Sequence, residues 1–306
     1  MGNLLFKALA IICAFMILII PLNTSAYNTD EAAITEIQSI CTTISSMYQK
    51  SSDVIRILSY NILSDRIGYN GSPCESRQDG IIEVLNRLSP DVLCLQEVCR
   101  GWFTIIKNNT EYTAINPIKT ELAGLMTTIF YDEAQLELRE WCDEAYASGG
   151  DYRIRKVVWG VFKSKSNGKT FCVVNTHFNI TKETDSYSGG QAMELIEITN
   201  TLKEKYSCPI FIAGDFNAKK RTTVTYPSSS IYEILSANFT DTATVTELFS
   251  AGSTTTHPTS TVDHIFLTND AKIKRYVILS NKVFLHISDH FPIFVDAELV
   301  DGKQRN

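Results

Sequence analysis

Four short runs of this chain are apolar at nearly every position, and each ends in polar residues: VIRILSYN at Asn61, DVLCLQE at Glu97, FCVVNTH at His177, and PIFIAGDFN at Asp215 and Asn217. A strand with one wet face alternates apolar and polar residues. These runs do not alternate, so both faces of each strand must be covered. Two packed β-sheets with helices outside them meet that demand, which makes the fold class α/β. If the strands lie side by side, their ends converge on one patch. That patch would hold carboxylates, carboxamides and imidazoles, the donor chemistry of a divalent-metal hydrolase.

The chain has 306 residues, enough for one large core. Its first residues read as a secretory leader. Lys7 precedes an apolar run from Ala8 to Leu22, and the small residues Thr24-Ser25-Ala26 follow. The run is shorter than the roughly 18 residues of a spanning helix, so cleavage after Ala26 and secretion are expected, with a signal anchor at the membrane as the alternative. Residues 27–52 carry isoleucines at helical spacing, Ile34, Ile37, Ile40 and Ile44, and predict an amphipathic helix that packs on the main domain or spaces it from its surroundings. A catalytic domain is expected over residues 53–306. Within it, helices are predicted at Glu75–Leu88 and Gln191–Lys205. Strands are predicted at Asp91–Glu97, Thr127–Tyr131, Leu136–Glu140, Lys156–Phe162, Thr170–Thr176, Cys208–Ala213, Val262–Leu267, Tyr276–Leu279 and Ile293–Leu299. Glu144–Asp151 and Ser250–Thr261 read as loops.

Net charge is −6, and −7 once the leader with Lys7 is gone. No basic stripe runs through the chain, which argues against tight nonspecific wrapping of nucleic acid. Local basic clusters at Lys219-Lys220-Arg221 and at Lys272, Lys274 and Arg275 read as surface, the first with phosphate binding as its alternative role. Seven cysteines follow the leader, an odd number, and no C-x-x-C pair suggests structural zinc. Cys94 and Cys172 sit inside apolar strands and read as buried thiols. Cys74, Cys99, Cys142 and Cys208 lie nearer loops and are the better bridge candidates, with the pairing open. Asn70, Asn108, Asn179 and Asn238 open glycosylation sequons.

Glu97 ends its strand where a carboxylate can hold a hard cation, and Asn61 can supply a neutral oxygen or orient Glu97. In Gly214-Asp215-Phe216-Asn217, Asp215 and Asn217 lie two apart and share a face in extended backbone. One can take a proton from water while the other donates to a phosphoryl oxygen. Asp289 and His290 precede the last strand as ligand and acid–base group, and Asp263 is the carboxylate expected to fix the tautomer of His290. His264 would point the other way and reads as structural. His257 and His286 read as loop or surface.

Taken in order, SYN, SPDVLCLQEV, VVNTHF, IAGDFNA, TVDHIF and ISDHFPIF resemble the endonuclease/exonuclease/phosphatase superfamily, the family of pancreatic deoxyribonuclease. The resemblance implies a four-layer sandwich and phosphoester hydrolysis dependent on Mg²⁺ or Mn²⁺. It implies that Asn61, Glu97 and Asp289 hold the metal and that His177, Asn217 and Arg155 contact the phosphate. Asp215 would activate water, with His290 backed by Asp263. A secreted phosphodiesterase of nuclease type, with nucleic acid as partner, is the expected activity. Alternatives are a sphingomyelinase-like or other phospholipid phosphodiesterase, and a catalytically dead binding module of the same fold.

Overall fold

The protein is described from a computed structural model, over residues 30–300 apart from 48–49, 66–72, 116–125, 150–154, 181–186, 219–226, 252–255, 259 and 269–270. The leader, the Asn70 sequon and Lys219-Lys220-Arg221 lie outside the described residues. The described elements, in chain order, are α1 (Glu31–Met47), β1 (Val54–Asn61), α2 (Gln78–Leu88), β2 (Val92–Val98), α3 (Arg100–Asn109), β3 (Thr113–Ala114), β4 (Met126–Tyr131), β5 (Leu136–Ala145), β6 (Lys156–Ser164) and β7 (Thr170–His177). They continue with α4 (Tyr187–Tyr206), β8 (Ile210–Asp215), α5 (Pro227–Asn238), β9 (Thr240–Asp241), α6 (Thr242–Val245), β10 (Leu248–Ala251), β11 (Asp263–Thr268), β12 (Ala271–Ile278) and β13 (Ile293–Leu299). One sheet has seven strands in the order β10-β12-β13-β1-β2-β4-β3, and the other has six in the order β5-β6-β7-β8-β11-β9. Both are mixed, with parallel pairs β1–β2 and β10–β12 in the first and β7–β8 in the second among antiparallel ones.

The doubly apolar strands sort their side chains by parity. In β7, Phe171 and Val173 join the core between the sheets, while Cys172 and Val174 face the helical layer. In β8, Phe211 and Ala213 point inward, and Ile210 and Ile212 outward. Helices α4 and α5 cover the six-stranded sheet with Ala192, Leu195, Leu202, Ile231 and Leu235. Helices α1 to α3 bring Ile37, Cys41, Val84, Leu88 and Trp102 to the main core. This is the expected four-layer sandwich. Helix α1 is capped by Asp30, whose carboxylate accepts from the Ala33 amide at 2.8 Å, and it packs along α2 as a layer member, not a spacer.

Two buried polar devices hold the layers in register. Arg56 on β1 faces its strand partner Asp296 on β13 with bonds of 2.6 and 3.0 Å, and its third contact is the Leu88 carbonyl. Between the sheets, Asn175 accepts from Gln96 at 2.7 Å and donates to the Leu95 and Thr128 carbonyls. Both sets satisfy groups that would otherwise be buried without partners.

Several sequence-based boundaries move. The segment read as one helix from Glu75 begins as a 3₁₀ turn at Cys74–Ser76 before α2 starts at Gln78. Strand β5 runs through Ala145, so Glu144 and Cys142 are strand residues; Cys142 pairs with Trp159 and is not in a loop. Strand β10 takes the start of the expected Ser250–Thr261 loop. Helices α3 and α5 were not anticipated. The cap of α3 is the Cys99 thiol, accepting from the Trp102 amide, which lacks the usual oxygen signature. The sequon at Asn179 is closed to a glycan, because its side chain is buried against Arg155. Arg275, grouped by sequence with surface lysines, is buried and donates to the Ile44 carbonyl, while Lys272 and Lys274 pair with Glu247.

Candidate active site

Backbone register alone assembles the centre of the site. His177 pairs with Asp215 across the parallel β7–β8 ladder, and Asp215 pairs with Asp263 across the antiparallel β8–β11 ladder. The parity that buries Phe171 and Val173 also points His177 into the cleft between the sheets. The same holds for Asp215 after Phe211 and Ala213, and for Asp263 before Ile265. Gly214 lets β8 approach β7, since a β-carbon there would run into the Thr176 carbonyl.

Asp215 is the hub. Its Oδ2 lies 3.3 Å from His177 Nε2 and 3.7 Å from His290 Nε2, and it accepts from Asn61 Nδ2 at 3.1 Å. Its Oδ1 accepts from the Asn217 amide at 2.9 Å. Asn217, at φ 50°, turns the chain sharply and donates its own amide to the Phe178 carbonyl. His290 Nδ1 is 2.8 Å from Asp263 Oδ2, the expected pairing. His264 bonds the Ala218 carbonyl and is structural, as anticipated. His286 is exposed.

The other sheet contributes Asn61 and Glu97. Strict alternation would turn Glu97 to the face opposite Gln96, yet its carboxylate lies beside Asn61. The β2–β4 register shifts between Leu95 and Val98, and Glu97 sits at φ 62°. A bulge of this kind re-aims a side chain, and a left-handed non-glycine residue is strained, at about 1–3 kcal/mol. Glu97 Oε2 accepts from the Ser64 amide at 3.0 Å, and Oε1 is 3.4 Å from Asn61 Nδ2. Asn61 Oδ1 accepts from the Leu63 amide at 3.1 Å, so its nitrogen faces the two carboxylates; turning the amide end for end would present the oxygen instead. Ser288 donates to the Asn61 carbonyl at 2.6 Å and tethers the Asp289–His290 corner to this strand end.

Burial is the main influence on the Asp215 carboxyl and raises its pKa above the ordinary value. The His290 charge opposes this, and Asp263 adds to it. For His290, burial alone would favour the neutral ring. Asp263 and then Asp215 outweigh it and lift the imidazole to about 10. A carboxylate pair therefore holds His290 as an imidazolium through neutral pH.

The donors fit a hard divalent cation. Glu97 spends little of its acceptor capacity on protein donors. Asp289 has a buried carboxylate oxygen, Oδ1, with no hydrogen-bond partner among the described residues. Asp289, His257 and His290 offer ligand atoms all within 4.8 Å of one another, as do Asp215, Asp263 and His290.

His257 is the residue that sequence reading passed over as loop or surface. Its ring lies 5.2 Å from that of His290, edge to face. The loop is pinned there by a Thr256 carbonyl accepting from Phe291 and a Thr256 hydroxyl accepting from the Val262 and Asp263 amides. Its one local signal was position, just before Asp263. Arg155 is buried and donates from Nε at 2.9 Å to Asn179, two residues after His177 in the chain. Asn179 had no sequence signal beyond its sequon.

Paired sheets whose strand ends meet in a carboxylate and imidazole cluster are the build of a phosphoester hydrolase. The chain belongs to the Endonuclease/Exonuclease/phosphatase family, whose sequence profile matches residues 58–290. Members of this family hydrolyse phosphoester bonds and generally use divalent metals. Nocturnin of Drosophila melanogaster is 27% identical over 199 residues, which cover 55% of this chain and 29% of nocturnin. The chain thus spans less than a third of that relative. Among solved structures, the Bacteroides thetaiotaomicron mannosyl-6-phosphatase Bt3783 superposes with a TM-score of 0.67 at 21% identity, covering 81% of this chain and 100% of the other. D. rerio TDP2 complexed with single strand DNA product superposes at 0.60 and 18% identity, covering 80% and 98%. At these identities the likeness speaks for the fold alone.

Proposed function

We propose that this protein is a secreted phosphodiesterase of nuclease type that uses Mg²⁺ or Mn²⁺. The observation that carries the reading is one buried carboxylate, Asp215, within reach of two imidazoles and an amide, next to a separate pair of oxygen donors. Asp215 Oδ2 would take the proton from the attacking water. Asn217 holds Asp215 through its backbone amide. His290, kept charged by Asp263, would stabilise the phosphoryl oxygens or protonate the departing oxygen. His177 and Arg155 would bind the phosphate. Glu97 and Asp289, with Asn61 aligning Glu97, would hold the cation, which when bound neutralises phosphate charge and polarises the phosphoryl group.

The leader ending at Ala26 supports secretion. The fold shared with TDP2, solved with a DNA product, supports nucleic acid as the substrate. A second reading is a sugar-phosphate monoesterase, favoured by the net charge of −6 and by the likeness to a mannosyl-6-phosphatase. The full chain is incubated with plasmid DNA, RNA and mannose 6-phosphate, each with Mg²⁺, with Mn²⁺ and with chelator. Metal-dependent strand cleavage supports the proposal, and mannose 6-phosphate hydrolysis without cleavage supports the second reading. No hydrolysis under any metal, or hydrolysis indifferent to chelator, sinks both. Sequencing the mature amino terminus tests the leader, because a chain that keeps Lys7 is not processed after Ala26.

A further inference from the structure

Behind the oxygen donors, two thiols meet. Cys74 opens the 3₁₀ turn before α2, and Cys99 caps α3, two residues beyond Glu97. Their sulfurs lie 3.2 Å apart, both buried, and Gly101 leaves room for the Cys74 sulfur at the start of α3. The other two bridge candidates that sequence offers lie elsewhere in the fold. Cys142 lies on β5 against β6, and Cys208 borders β8 under α4 and α5. We propose that Cys74 and Cys99 form a disulfide and that this bridge positions Glu97 and the Asn61 that aligns it.

A disulfide needs sulfurs about 2.05 Å apart and side chains already facing one another, and the sulfurs of this pair already face one another at 3.2 Å. Each cysteine stands at the foot of a clamp that reaches the Leu63 carbonyl. Three residues after Cys74, Arg77 donates to the Ile62 carbonyl at 2.9 Å and to the Leu63 carbonyl at 2.7 Å. Three residues after Cys99, the Trp102 indole donates to the same Leu63 carbonyl at 2.9 Å. The Arg77 guanidinium stacks over the Trp102 ring at 5.0 Å. The clamped segment is the one whose Leu63 and Ser64 amides hold Asn61 and Glu97. A covalent tie between the feet fixes both clamps at once and so supports the strained Glu97 backbone.

The chemistry balances by exchange with a small disulfide such as oxidised glutathione. One S–S bond breaks and one forms, two electrons pass from the protein sulfurs to the glutathione disulfide, and the two thiol protons leave on two glutathione thiols. Burial shields the finished bridge from reductant.

The test uses the full chain, refolded with oxidised and reduced glutathione, then denatured without reductant, alkylated and digested. The expected result is a linked peptide joining Cys74 to Cys99, with the remaining cysteines alkylated. Alkylation of both Cys74 and Cys99, or zinc retained in place of a bridge by the two thiols and Asp65, whose carboxylate lies within 4.8 Å of both sulfurs, overturns the proposal. The positioning role, which rests on the proposed metal site, is read separately by Mn²⁺ titration calorimetry and melting of the C74S/C99S double variant. Weaker Mn²⁺ binding by several-fold together with a lower Tm is expected. Unchanged Mn²⁺ affinity in a folded double variant overturns that role while leaving the bridge itself standing. Should the double variant not fold, the wild-type protein refolded in excess dithiothreitol, so that the bridge never forms, supplies the same comparison.

Discussion

Asp263→Asn isolates one charge. The amide oxygen can still accept from His290 Nδ1, so the 2.8 Å contact survives while the countercharge is lost. In the native site, the gap between the ordinary imidazole value of 6.5 and about 10 corresponds to a preference for the imidazolium on the order of 5 kcal/mol. Asp263 is the largest contribution on the raising side, and burial works against it, so the variant imidazole must titrate well below about 10. Two observables follow. The alkaline limb of the kcat/KM profile, where His290 loses its proton, moves toward neutrality, and kcat/KM at neutral pH falls by about 10² to 10⁴. Stability changes with a definite sign. A folded pKa raised above its unfolded value stabilises fully below about 6.5, and that contribution is lost as pH climbs through about 10. The stability deficit of the variant is therefore widest on the acid side and closes on the alkaline side. A pH–rate series, denaturant melts across the same range and an NMR titration of the His290 ring supply the data. An alkaline limb that stays where it was, or a deficit that grows with pH, refutes the assignment of Asp263 as the countercharge.

Asp215→Asn should abolish the acid limb of the rate profile. That limb should lie above the ordinary carboxylate value of 3.8, because burial raises the Asp215 carboxyl; a rate profile with the same acid limb in the variant counts against Asp215 as the base. Gly214→Ala should lower Tm by several degrees or prevent folding, since the new β-carbon meets the Thr176 carbonyl and pushes β7 from β8; thermal melts decide it. Asp296→Ala strands the buried Arg56 charge, and about 3–5 kcal/mol of stability should be lost; urea titration reads this directly. His257→Ala should alter kcat/KM at an unchanged melting temperature, because its ring touches His290 from a loop held by backbone contacts; wild-type kinetics would return it to the surface role that sequence suggested.

What sequence could and could not reveal divides along one physical line. Whatever depends on strand parity was legible. Once Phe171 and Phe211 face inward, parity turns His177 and Asp215 inward as well, and the adjacency of β7 and β8 makes them a row. The pairing of Asp263 with His290 was legible from chemistry and not from parity, since His290 lies before β13 and a carboxylate is the natural partner of an imidazole. Parity fails at Glu97. Its carboxylate reaches the cleft because a bulge and a left-handed backbone break the alternation, and nothing in DVLCLQEV announces a bulge. Strand-end position places Glu97 in the site but does not say which way its side chain points. His257 and Asn179 were invisible for a different cause. Their places are set by long-range hydrogen bonds, Thr256 to Phe291 and Arg155 to Asn179, that leave no periodic trace. The site thus has a rigid half written in strand periodicity and a fitted half imposed by tertiary contacts. The fitted half contains Glu97, the proposed metal ligand, and the His257 loop, so differences in metal preference and substrate among proteins sharing this row should arise there.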